Sequence, residues 1–82
     1  MSKVTLYTKE VCPLCDDALA LLLIFQQKYS FEIEQKDIYQ NEEWLERYHL
    51  RIPVIEIDCH QIDVQEINYA SLEMFLKSNL DE

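Results

Sequence analysis

Apolar and polar residues alternate over Val4-Thr5-Leu6-Tyr7-Thr8, a period of two that predicts a strand. From Pro13 to about Tyr29 the period becomes helical: Leu14, Ala18, Leu21, Leu22 and Phe25 fall on one face, with Leu19, Leu23 and Ile24 beside them. A stripe that wide predicts a helix buried on more than one side. Alternation returns at Phe31-Glu32-Ile33-Glu34 and carries a second strand through Asp37-Ile38. Asn41 suits the cap of a short helix, with Glu42 and Glu43 in its first turn, Trp44, Leu45 and Tyr48 facing inward, and an end near His49 or Leu50. Ile52-Pro53-Val54-Ile55-Glu56-Ile57 reads as a third strand and Gln61 to Gln65 as a fourth, joined by a turn at Asp58-Cys59-His60. Asn68 then caps a last helix that turns Leu72, Phe75, Leu76 and Leu80 inward.

The order is βαβαββα. A strand-helix-strand crossover implies a parallel pair and a tight hairpin an antiparallel one, so the expected α/β fold has a four-stranded mixed sheet with helices on both faces. No repeat, low-complexity segment or linker interrupts the 82 residues, and residues 1–82 read as one domain. A chain of this length encloses a single core that hides roughly 60% of its unfolded surface. With 49% hydrophobic and 28% charged residues the composition is globular, and the absence of glycine restricts the turns available.

Sixteen acidic against seven basic residues give a net charge of −9, which argues against nucleic acid and anionic membranes as partners. A basic partner surface is favoured, although a solvated acidic surface is the default explanation. The N-terminus lacks the apolar run of a signal peptide, and Ala18 to Phe25 falls far short of the roughly 20 residues of a membrane span. A cytoplasmic location is expected. There, close cysteines serve redox or metal chemistry more often than they staple a fold.

The chemistry concentrates in Thr8-Lys9-Glu10-Val11-Cys12-Pro13-Leu14-Cys15, where strand pattern gives way to helix pattern. Positions three apart share a helix face at about 5 to 6 Å, within reach of a disulfide. If the helix begins near Pro13, which suits a first turn, Cys12 sits at its mouth, where unpaired N–H groups and the helix dipole favour a thiolate. Cys12 is then the nucleophile, and Cys15, one turn in, resolves the mixed disulfide. Lys9 supports the thiolate, while Glu10, Asp16 and Asp17 oppose it weakly through solvent. Asp16 and Asp17 are otherwise read as complements to the helix terminus. Cys59, in the expected turn, has no assigned role, and Tyr7 and Trp44 read as core.

The order βαβαββα, the Cys-Pro-x-Cys opening the first helix and the Ile-Pro-Val opening the third strand together resemble glutaredoxin, in the thioredoxin fold. The resemblance spans residues 3 to 80 and is nearest to small glutaredoxin-like proteins whose motif continues Cys-Pro-Leu-Cys-Asp. It implies that Cys12 and Cys15 are the catalytic pair and that Lys9 lies near the thiolate and a glutathione carboxylate. It also implies that Pro53 is cis and faces the cysteines, with the backbone of Ile52 pairing to a substrate's cysteinyl peptide. The chain departs from the glutaredoxin pattern at three places. Leu14 replaces a tyrosine, Arg51 stands where threonine is usual, and Ile62-Asp63-Val64-Gln65-Glu66 lacks the glycines that grip the γ-glutamyl end. Arg51 is either a substitute carboxylate ligand or a solvated arginine beside the third strand.

The expected activity is thiol-disulfide exchange on protein or low-molecular-weight disulfides by a monomer. The expected substrate contacts are Lys9, Pro13, Leu14, Arg51, Ile52 and Pro53, and no bound cofactor is required. Glutathione or a thioredoxin-reductase-type protein is the expected reductant. Two alternatives remain: a non-catalytic module holding a basic partner at the Ile52-Pro53 edge, and a zinc or iron-sulfur site shared through the cysteine pair. No residue is assigned as a metal ligand.

Overall fold

The alternating N-terminal segment forms strand β1, Ser2–Thr8, which lies inside the sheet with hydrogen-bonded neighbours on both edges. The computed structural model describes residues 2–80. Strand β2, Phe31–Asp37, runs parallel to β1 in a register from Ser2 opposite Phe31 to Thr8 opposite Asp37. Strand β3, Val54–Ile57, pairs antiparallel with the other edge of β1, and β4, His60–Ile62, antiparallel with β3. The sheet order is therefore β2-β1-β3-β4, mixed as the connection lengths predict. Three helices complete the chain: α1 (Pro13–Phe25), α2 (Glu42–Tyr48) and α3 (Tyr69–Asn79).

The period of two assigns the faces. Val4 and Leu6 of β1 and Ile55 and Ile57 of β3 point to one side, where Ala18, Leu22 and Phe25 of α1 meet Leu72 and Leu76 of α3. Tyr7 and Val54 point to the other and pack with Ile38 and with Tyr48 of α2. The Tyr7 and Tyr48 rings lie 4.3 Å apart, and Trp44 meets Tyr7 edge-on at 5.8 Å. The polar atoms in this aromatic layer are paired. The Tyr7 hydroxyl donates to Glu56 Oε1 at 3.1 Å, and Gln61 Nε2 donates to Glu56 Oε2 at 2.9 Å and to the Tyr48 hydroxyl at 2.8 Å. Burial, and then the Glu56 carboxylate, hold the Tyr7 phenol well above its ordinary range.

Several boundaries differ from the sequence pattern, each for a local reason. Helix α1 stops at Phe25 rather than Tyr29, where the Gln27 and Lys28 N–H groups bond three residues back, to the Ile24 and Phe25 carbonyls, and the Gln26 side chain donates to the Phe31 carbonyl at 3.0 Å. Its apolar stripe is enclosed only along Cys15, Ala18, Leu22 and Phe25. Leu23 and Ile24 are half-exposed, since the helix lies against the sheet on one side only. Ile38 is buried in a short 3-10 turn rather than a strand, with Asp37 Oδ1 accepting the Tyr39 N–H at 2.9 Å. Strand β3 begins at Val54, not Ile52: the Ile52 N–H is spent on the Tyr48 carbonyl at 3.0 Å and Pro53 has no N–H. His60 belongs to β4, which follows a two-residue Asp58–Cys59 turn. Asp58 holds the left-handed conformation (φ 56°) there, a position that a glycine would otherwise fill. Strand β4 ends at Ile62 because Asp63 Oδ1 takes the Gln65 N–H at 3.1 Å and folds the chain into a turn. Asn68 caps α3 as expected, reciprocally with Ser71.

Two outcomes follow for stability. Leu22 is fully buried at the centre of the larger core, so Leu22→Ala lowers the unfolding free energy by about 2–5 kcal/mol in denaturant titration. Glu73 accepts from Lys28 Nζ at 2.5 Å and from the Tyr29 hydroxyl at 2.9 Å, and these contacts, Lys28 first, hold its carboxyl below its ordinary 4.5. A lowered carboxyl stabilises the fold above its unfolded value and loses that contribution as pH falls through the folded one. Glu73→Gln should therefore lower stability at neutral pH, converge with the wild type at the acid end and so flatten the acid limb of a stability-against-pH curve below about 4.5, as thermal melts across that range will show.

Candidate active site

Four residues, Lys9 to Cys12, carry the chain from the end of β1 to the start of α1. Cys12 is the N-cap, in extended conformation, and its Sγ accepts the Cys15 N–H at 3.1 Å. Its carbonyl accepts the Asp16 N–H at 3.0 Å, and Pro13 opens the first turn. A sulfur here receives an otherwise unpaired backbone donor and the positive end of a 13-residue helix. Both favour the thiolate over the thiol.

The pair is graded in access: Cys12 is 8% exposed and Cys15 2%. Their Cα atoms stand 5.2 Å apart and the sulfurs are joined in a disulfide. The arrangement can cycle between bridge and dithiol without a backbone shift, because that separation lies inside the bridging range of about 4.4–6.8 Å. Cys59 is free and exposed in the β3–β4 turn. Among the described residues no group of three or more His, Cys, Asp or Glu is arranged to hold a metal ion.

The other residues singled out in the sequence distribute over two sides of Cys12. Leu14, 57% exposed, and the buried Pro53 line a small depression of about 130 Å³ with Ala18, Leu21, Val64 and Ile67. The Ile52–Pro53 peptide is cis. On the other side Lys9 lines an open cleft of about 510 Å³ with Glu10, Val11, Asp37 and Tyr39. Asp16 borders the adjoining surface. The Ile52 N–H faces inward to Tyr48. Arg51 is neither free nor merely solvated: its Nε donates to Asp63 Oδ2 at 3.3 Å, its guanidinium lies 5.7 Å from the Tyr48 ring, and its carbonyl accepts the Val64 N–H at 3.1 Å. Arg51 thus ties the segment before Pro53 to the loop after β4.

One residue escaped the sequence pattern. Val11 adopts φ 52° and is 93% exposed. The left-handed region is strained for a β-branched side chain, and one so exposed recovers nothing through packing. Its position immediately before Cys12 was legible, but its backbone was not, because no turn signature of glycine or asparagine marks it. Val11→Gly should raise the unfolding free energy by about 1 kcal/mol, read from the denaturation midpoint, since glycine adopts this conformation without the Cβ clash.

The sequence model of a glutaredoxin-like domain (DUF836) matches residues 3–77. The solution structure of the protein XcR50 from X. campestris superposes over 100% of both chains, with a TM-score of 0.78 and 23% identity. The X-ray structure of the same protein covers 92% of this chain and 96% of its own, with a TM-score of 0.75 and 25% identity. A mutant thioredoxin from Halobacterium salinarum is similar over 98% of this chain and 75% of its own, with a TM-score of 0.67 and 15% identity. The fold is thioredoxin-like, as the element order predicts.

Proposed function

The chain belongs to the glutaredoxin-like domain family (DUF836), and we propose that within it this protein is a thiol-disulfide oxidoreductase. The observation that carries this reading is the Cys12 sulfur at the mouth of α1, accepting the Cys15 N–H, with Cys15 shielded one turn behind it.

In the reduced protein the Cys12 thiolate attacks one sulfur of a substrate disulfide. The S–S bond breaks, one substrate thiol leaves after taking a proton from water, and Cys12 is left in a mixed disulfide. Cys15, deprotonated in turn, attacks the Cys12 sulfur and expels the second substrate thiol. The substrate gains two electrons, and the protein keeps the Cys12–Cys15 bridge seen in the structure. Two thiols, from glutathione or from a dithiol reductase protein, return the bridge to the dithiol in a reducing cytoplasm. The chemistry needs no bound cofactor. A partly enclosed Cys12 and a nearly inaccessible Cys15 support this division of labour, because the buried sulfur meets only a disulfide already formed on its neighbour.

Turnover of a disulfide substrate and trapping of intermediates test the proposal. Cys12→Ser should lower turnover by more than about 100-fold, oxygen being a far poorer nucleophile than the thiolate. Cys15→Ser should instead accumulate a mixed disulfide on Cys12, visible as an intact-mass adduct that a reductant removes. Full activity in Cys12→Ser, or a wild-type pair that stays unbridged in graded glutathione redox buffers, would sink the proposal.

A further inference from the structure

Exposed apolar side chains stand on both sides of the chain around Cys12, set among acidic ones. Val11, 93% exposed, and Tyr39, 65% exposed, stand on one side, and Leu14, 57% exposed, on the other. Val11 contributes no core packing and holds a backbone conformation that a β-branched residue resists. What such a side chain can still supply is contact with a partner.

Four carboxylates surround these walls: Glu10 and Asp37 in the cleft with Lys9, Asp16 next to it, and Asp17 at the Leu14 depression. The ion pairs found among the described residues lie elsewhere, at Lys3–Glu34, Lys28–Glu73, Arg47–Glu43 and Arg51–Asp63. None of the four carboxylates is in one of these ion pairs, and Lys9 is the one cation among the residues lining these surfaces, on a chain of net charge −9. Glutathione disulfide is an anion and is repelled here. It also finds no glycine loop, and Arg51 is already engaged by Asp63.

We propose that the preferred substrate is a disulfide held in a basic protein segment with a bulky apolar residue beside its cysteine, in preference to glutathione disulfide. The apolar neighbour covers Val11 or Leu14, and the flanking cations meet Glu10, Asp16, Asp17 and Asp37. This rests on the oxidoreductase reading and specifies its substrate class. The exchange is balanced: protein dithiol and peptide disulfide give the Cys12–Cys15 bridge and two peptide thiols.

The test uses reduced wild-type protein and three oxidants: the disulfide-linked dimer of the peptide Lys-Leu-Cys-Lys, that of Glu-Leu-Cys-Glu, and oxidised glutathione. Each rate of Cys12–Cys15 bridge formation, followed by acid quench and alkylation, is divided by that disulfide's rate with dithiothreitol, which removes its intrinsic reactivity. The normalised rate should favour the lysine peptide over the glutamate peptide by at least about tenfold at low salt, and the gap should close as the Debye length falls to roughly 3 Å near 1 M salt. Glu10→Gln combined with Asp37→Asn should shrink that ratio; Asn at 37 keeps the oxygen that caps the following turn. Val11→Gly, which removes the apolar contact, should slow both peptides by a larger factor than it slows oxidised glutathione.

Equal normalised rates for the two peptides, or a faster rate with oxidised glutathione than with the lysine peptide, overturn this substrate assignment and leave the oxidoreductase standing. Failure of all three disulfides to oxidise the pair overturns the oxidoreductase reading and this one with it.

Discussion

The burial of β1 on both faces is the constraint from which the site follows. Val4 and Leu6 are committed to the core under α1 and α3, and Tyr7 to the layer under α2, so the strand has no freedom to slide or tilt. A one-residue slip would exchange these two sets. Thr8 is thereby fixed as the last paired residue, opposite Asp37. The chain then has only residues 9 to 12 in which to leave the sheet and start the helix that covers it. Within that reversal Val11 stands in the left-handed region, in a chain that has no glycine to take the position. The same reversal delivers Cys12 to the helix mouth. The strain at Val11 and the placement of the sulfur are two consequences of one short connection.

The opposite face is organised differently. Its layer is built from Tyr7, Tyr48 and Trp44, and aromatic rings bring polar atoms with them. Glu56 and Gln61 satisfy the two phenols, and Arg51 lies near the Tyr48 ring while pairing with Asp63. These contacts link β1, β3, β4 and the end of α2, and the segment leading into Pro53 is held at two points. The Ile52 N–H bonds to Tyr48 on one side and the Arg51 carbonyl to Val64 on the other. This side of the sheet braces the loop that faces the start of α1, while the larger core fixes α1 itself. Access to Cys12 is set by how these two packed layers meet.

Charge acts at a different level from packing. Among the described residues two of the four ion pairs, Lys3–Glu34 and Arg47–Glu43, are exposed at both partners, and such pairs contribute little to the fold. Where the carboxylates collect around a partly buried sulfur they oppose the thiolate that the helix terminus favours. Negative charge of this kind lowers the fraction of a sulfur held as thiolate, not the intrinsic nucleophilicity of the thiolate itself. Under the substrate assignment proposed above, the same groups select among approaching molecules by charge.

The amino-acid sequence by itself determined the element order, the mixed character of the sheet and the location of the cysteine pair. Those properties are carried by short-range signals: a period of two or of 3.6, Asn41 and Asn68 as helix caps, Pro13 in a first turn and two cysteines three apart. Only the tertiary structure decided which of several apolar residues were enclosed. Leu23 and Ile24 read like Leu22 along the chain, yet they lie half-exposed because α1 has the sheet on a single side. It also decided where strands stop, since Ile52 and Asp63 are drawn out of the ladder by hydrogen bonds to Tyr48 and Gln65. The engagement of Arg51 by Asp63, 12 residues away, and the left-handed Val11 belong to the same class. Both depend on where distant segments are forced to meet, and a local pattern of hydrophobic and polar positions carries no record of that.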